Sequence, residues 1–74
     1  MTTARRKFPT PLFVINLIDS LESSRKKLGL SRRDIAESTG LSQSNITQYE
    51  LGYNYPIKEN YNKLAAFFHW KTWD

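Results

Sequence analysis

The chain has 74 residues, no cysteine, one histidine and a formal net charge of +4. That size allows one small domain, near the lower limit for a single hydrophobic core. It leaves no disulfide framework, no thiolate metal site and no cluster of histidine and carboxylates to hold a metal, so no cofactor is expected. No run of about 18 apolar residues is present to span a membrane, and Met1 to Lys7 lack the apolar segment of a secretory signal, so a cytoplasmic setting is expected. No nucleophile–base–orienter set, phosphate-cradling glycine loop or acid pair is present, which disfavours an enzyme.

Residues 1–10 are basic and broken by Pro9, with Pro11 just beyond, and are predicted to form an extended or disordered arm carrying Arg5, Arg6 and Lys7. A first helix is predicted over 11–28, with Pro11 at its start and Thr10 as cap. Val14, Ile18, Leu21 and Leu28 form its apolar stripe, widened by Leu17, while Phe13 and Ile15 fall outside it. Arg25, Lys26 and Lys27 suit its C-terminal dipole, and Gly29 ends it.

Two short helices follow, over 32–38 and 43–50. Ser31 is a good N-cap, and Asp34 three residues on completes a capping box. Ile35 and Ala36 face inward, the small alanine suiting a close helix crossing. Gly40 stands where the chain turns sharply, because glycine takes the left-handed conformation without steric strain. Leu41 plugs the corner and Ser42 caps the next helix. Ile46 then points back toward Ile35 and Ala36, leaving Gln43, Ser44, Thr47 and Gln48 outward. A last helix is predicted over 57–68, with Ile57, Tyr61, Leu64, Ala65 and Phe68 on its apolar face. The end is dense in aromatics: Phe67, Phe68, Trp70 and Trp73. Two readings fit it, closure of the core against the lengthened first helix or a dimer surface.

Charge is distributed unevenly. Residues 1–33 carry eight basic residues against Asp19 and Glu22, whereas 34–57 carry Asp34, Glu37 and Glu50 and no basic residue. Positive charge therefore flanks the paired short helices while the second of them is free of it, a pattern suited to gripping phosphates at the edges and reading bases with amides and hydroxyls.

Ala36, Gly40, Ile46 and Glu50, with Arg25 upstream and Gly52 and Pro56 downstream, resemble the helix-turn-helix of the Cro/phage-repressor (XRE-like) family over Leu21 to Phe68. The resemblance implies an all-α, lambda-repressor-like domain of four to five helices over 11–74, its second and third helices forming the helix-turn-helix. It also implies a pair between Arg25 and Glu50. The function implied is a sequence-specific, double-stranded DNA-binding transcriptional regulator, encoded by a bacterium, phage or plasmid.

Helix 43–50 would then enter the major groove, with Gln43, Ser44, Asn45, Thr47 and Gln48 reading bases; glutamine suits bidentate contact with adenine. Arg32 stands where the family commonly has a phosphate-contacting glutamine and retains a donor there. Ser31, Ser42 and Arg33 would join it on phosphate, as would Tyr53 and Asn54, in a loop where the family often carries basic residues. Tyr53 and Tyr55 have a second reading, as cover for the core. Arg5, Arg6 and Lys7 fit either an arm along the DNA backbone or minor groove or a solvated tail. The expected partner is a two-fold operator bound by a homodimer, with Phe67, Trp70 and Trp73 as its surface. The alternative is a protein-interaction module on the same fold, antitoxin-like or antirepressor-like, motivated by the aromatic end and the added apolar turns of the first helix.

Overall fold

Serine hydroxyls and left-handed residues set the helix boundaries. The computed structural model describes residues 10–74, so the expectations for the arm, including Arg5, Arg6 and Lys7, lie outside the described residues. Five helices follow in order: α1 Leu12–Asp19, α2 Leu21–Lys27, α3 Arg32–Thr39, α4 Gln43–Leu51 and α5 Lys58–Phe68. The fold among these residues is all-α, as expected.

The helix predicted over 11–28 is two helices, and the break at Ser20 supplies the fifth. The Ser20 hydroxyl donates to the Leu17 carbonyl at 2.7 Å and its N–H donates to the same oxygen at 3.1 Å. That carbonyl is the one an unbroken helix would give to the Leu21 N–H. Ser20 accordingly sits at φ −95° and ψ 4°, in the sparsely allowed bridge region, and its own carbonyl accepts from Ser24 N–H to restart the helix. Serine competing for helix carbonyls often bends helices in this way. Thr10 is not the cap: Pro11 holds the N-cap position of α1 without a side-chain bond, and its carbonyl accepts from Val14 and Ile15 N–H.

Val14, Ile18, Leu21, Ile35, Ala36, Leu41, Ile46, Tyr49, Tyr61, Leu64 and Ala65 make the core. Leu17 and Phe68, also expected on apolar faces, pack against it half-buried, and two further expected residues are exposed. Leu28 is 57% exposed because α2 stops at Lys27, so the next inward turn is never made; Gly29 reverses the chain at φ 71° and Leu30 packs on the core instead. Ile57 is 63% exposed because it is the N-cap of α5 rather than part of its face, and the neighbouring Pro56 is buried in its place.

The aromatic end folds back over α5. His69 adopts a left-handed conformation, φ 62° and ψ 40°, and reverses the chain. Asn62 then clasps Trp73 through two bonds of 2.8 Å, its amide donating to the Trp73 carbonyl and accepting from the Trp73 N–H. The buried Tyr61 ring is ringed by Phe13, Trp70 and Trp73 at centroid distances of 6.1–6.2 Å, with its hydroxyl donating to the Lys71 carbonyl. Phe68 stacks on Trp70 at 4.7 Å. Phe13, outside the predicted stripe, thus has its partner in this end of the chain.

Candidate nucleic-acid interface

The α3–turn–α4 unit is set by short-range polar bonds. Asp34 N–H donates to the Ser31 hydroxyl at 3.0 Å and Ser31 N–H donates back to the Asp34 carboxylate at 2.9 Å. These bonds, the backbone one first, hold the Asp34 pKa below the ordinary carboxylate value. At the turn Gly40 takes φ 80° and its N–H donates to the Ala36 carbonyl. Thr39 reinforces the corner, its hydroxyl donating to the Ile35 carbonyl at 2.8 Å and accepting from Leu41 N–H at 3.3 Å. Ser42 caps α4 by accepting from Asn45 N–H at 3.0 Å.

Burial of Ile46 and Tyr49 fixes the rotation of α4 about its axis. Residues four apart share a ridge on a helix, so Ser44 and Gln48 lie on the side away from those two core residues. Gln43 and Ser44 are exposed; Asn45, Thr47 and Gln48 are half-buried. The open face of α4 is therefore neutral, made of amides and hydroxyls. Thr47 has already committed its hydroxyl to the Gln43 carbonyl at 3.1 Å. Gln48 is engaged as well, its Oε1 accepting from Asn54 Nδ2 at 2.8 Å.

Behind α4 lies a charged junction. The Glu50 side chain has no exposure, and its carboxylate accepts from Arg25 Nε at 2.7 Å, Arg25 Nη2 at 3.1 Å and Arg32 Nε at 2.8 Å. Arg25, with a side chain 10% exposed, gives its remaining terminal nitrogen to the Leu30 carbonyl at 2.9 Å. Burial pushes the Glu50 carboxyl up, but the bonds and charges of Arg25 and Arg32 outweigh it and leave the pKa below the ordinary carboxylate value. The bond to Glu50 likewise raises Arg25. No buried side-chain polar atom among the described residues lacks a partner.

Of the residues expected on phosphate, Ser31 and Ser42 cap α3 and α4 as acceptors, each keeping its hydroxyl hydrogen. Arg32 is held through Nε to Glu50 with its side chain 32% exposed. Arg33 reaches Glu37 at 3.3 Å on the open surface. Tyr53 is exposed, Asn54 turns to Gln48, and Tyr55 donates its hydroxyl to Asp19 at 2.8 Å, tying the loop to the end of α1. Sequence reasoning missed the second arginine on Glu50, the Asn54–Gln48 bond and the burial of Tyr49. The first two join residues of different elements and have no local signal; Tyr49 had one, three residues past Ile46.

The helix-turn-helix family profile matches residues 21–72, the greater part of the chain, and covers α2 to α5. No curated protein and no solved structure gave a match. No helix among the described residues is long and apolar enough to cross a membrane.

Proposed function

The chain belongs to the Cro/C1-type helix-turn-helix family, and on that premise we propose that it is a sequence-specific transcriptional regulator that lays α4 in the major groove of double-stranded DNA. The observation that carries this reading is the neutral face of α4, with Gln43, Ser44, Thr47 and Gln48 outward at the N-terminal end and middle of the helix. Major-groove edges present donors and acceptors that amides match in pairs, whereas charge is needed only where phosphates run. Arg32, Arg33, Ser31 and Ser42 stand at the starts of α3 and α4, where backbone N–H groups and the helix dipoles also favour an anion. Tyr53 adds an uncharged contact from the loop.

One such unit reads only a few base pairs, so the regulator binds a two-fold site as a homodimer, its two α4 helices about 34–36 Å apart. Trp70 and Trp73 serve the core first; the surface that they and Phe67 leave open is the proposed contact. Its size and family suit a bacterial, phage or plasmid gene. Of the features that motivated a protein-interaction module, Phe13 of the added turns and Trp70 and Trp73 of the aromatic end are engaged in packing around the buried Tyr61 ring, which favours the DNA reading.

Selection of bound duplexes from a random pool tests it. A symmetric consensus is expected, with Gln43→Ala and Gln48→Ala each relaxing preference at their own positions while melting normally. Recovery of duplexes without a consensus would refute sequence-specific reading.

A further inference from the structure

We propose that Asn54 is a positioning residue for base reading: its Nδ2 fixes the orientation of the Gln48 amide and so sets which base pair Gln48 accepts. This rests on α4 being the reading helix. The bond itself is short, 2.8 Å from Asn54 Nδ2 to Gln48 Oε1. The way Asn54 reaches it is built into the backbone. Gly52 closes α4 at φ 80°, with its N–H donating to the Tyr49 carbonyl at 3.3 Å, and Tyr53 N–H donates to the Gln48 carbonyl at 3.0 Å. These two bonds form the glycine-dependent reversal that commonly ends helices, and the second returns the chain alongside Gln48. Asn54 is therefore delivered beside Gln48 by the helix end.

The chemistry needs such a device. The terminal torsion of glutamine is broad and roughly two-fold, so an unrestrained Gln48 presents its oxygen and nitrogen in either order. Bidentate reading of adenine requires one order, with Oε1 accepting from the base amino group and Nε2 donating to the ring nitrogen. With its Nδ2 turned to Gln48, Asn54 takes one lone pair of Oε1 and favours the order in which that atom is the oxygen. Both Nε2 hydrogens and the second lone pair remain free for a base edge. In water the bond competes with solvent and biases the orientation modestly; in a groove that has shed its water the same bond strengthens. Asn54 consequently acts on discrimination rather than on general grip. An asparagine that served only to hold phosphate would act on every duplex alike.

The test pairs two readouts on Asn54→Ala and Asn54→Leu, the second keeping the approximate shape while removing the donor and adding no charge. In the free protein, side-chain amide NMR of Gln48 should shift in both variants. On the duplex selected from the random pool and its single-base-pair variants, preference at the pair read by Gln48 should fall by about fivefold or more, with preference elsewhere intact. Neither variant should alter preference further once Gln48 is alanine. Unmoved Gln48 resonances overturn the contact. Moved resonances with uniform weakening across all duplexes overturn the positioning role and leave Asn54 a phosphate contact. A wild-type protein with no base preference overturns the DNA reading and this inference together, and the NMR result then stands as a loop contact alone.

Discussion

Replacing Glu50 by alanine tests how the three central helices are held. Its carboxylate has no exposure and receives three donors from Arg25 and Arg32, on α2 and α3. Removing it leaves Arg25, whose side chain is nine-tenths buried in the intact domain, with the Leu30 carbonyl as its remaining partner. Breaking a buried pair from one side costs about 3–5 kcal/mol, because a charge stays behind without compensation. Arg32 adds less, since its side chain is 32% exposed and water can replace the carboxylate. For a domain of this length total stability is on the order of 4–11 kcal/mol, so the variant should be marginal. Each kcal/mol moves the midpoint by about 4–8 °C at this size, and a fall of at least about 12 °C is expected in thermal unfolding followed by circular dichroism. Arg25→Met with Glu50→Leu removes both charges and should recover much of the loss, because apolar replacements of similar volume often match a buried pair. A Glu50→Ala protein melting within about 2 °C of wild type, or a double variant weaker than Glu50→Ala, would refute the reasoning.

Acid should find the same junction. The folded pKa values of Glu50 and Asp34 lie below their ordinary values, so their contribution is fully present above the unfolded carboxylate range of about 4 and is lost as pH falls through the folded values. Urea unfolding across that range should show stability dropping, and Glu50→Gln should flatten the drop; an unchanged slope would contradict it. Deleting residues 1–7 should flatten the dependence of log K on log salt by up to about 0.9 per lost phosphate contact, weakening specific and random duplexes alike; an identical slope would make the arm a spectator. Trp70→Ala with Trp73→Ala should destabilise the domain by about 2 kcal/mol or more, read as a lower urea midpoint, because both rings pack on the buried Tyr61. Gly40→Ala should cost about 1–2 kcal/mol from its left-handed backbone alone, since an added Cβ meets nothing within 4 Å.

The helix-turn-helix was legible because its boundaries are local chemistry. Ser31 with Asp34, Gly40, and Ser42 each act within four residues, and each stands where its type is needed. The break at Ser20 was hidden because the apolar spacing of Val14, Ile18 and Leu21 runs straight through it, while a serine hydroxyl gives no sign in sequence of which carbonyl it will choose. Leu28 and Ile57 had the right period and the wrong place, one residue beyond a helix end in each direction. The outward set on α4 was readable from Ile46 alone. Its internal bonds were not, since Asn54 reaches Gln48 only through the reversal at Gly52, and Arg32 reaches Glu50 across eighteen positions.

The junction at Glu50 also has a consequence for how this sequence can drift. One carboxylate serves two guanidiniums that differ in what they lose without it. Position 32 can change while Arg25 still neutralises Glu50, so a neutral amide there, the residue that the resembling family commonly carries, leaves the centre of the domain intact and alters only the outer surface. Positions 25 and 50 have less freedom: loss of Glu50 strands the buried Arg25, and loss of Arg25 takes two of the three donors from the carboxylate. Tuning of the edge proposed to face DNA and preservation of the fold thus fall to different members of one cluster, and the edge is free to evolve at the arginine that the core needs least.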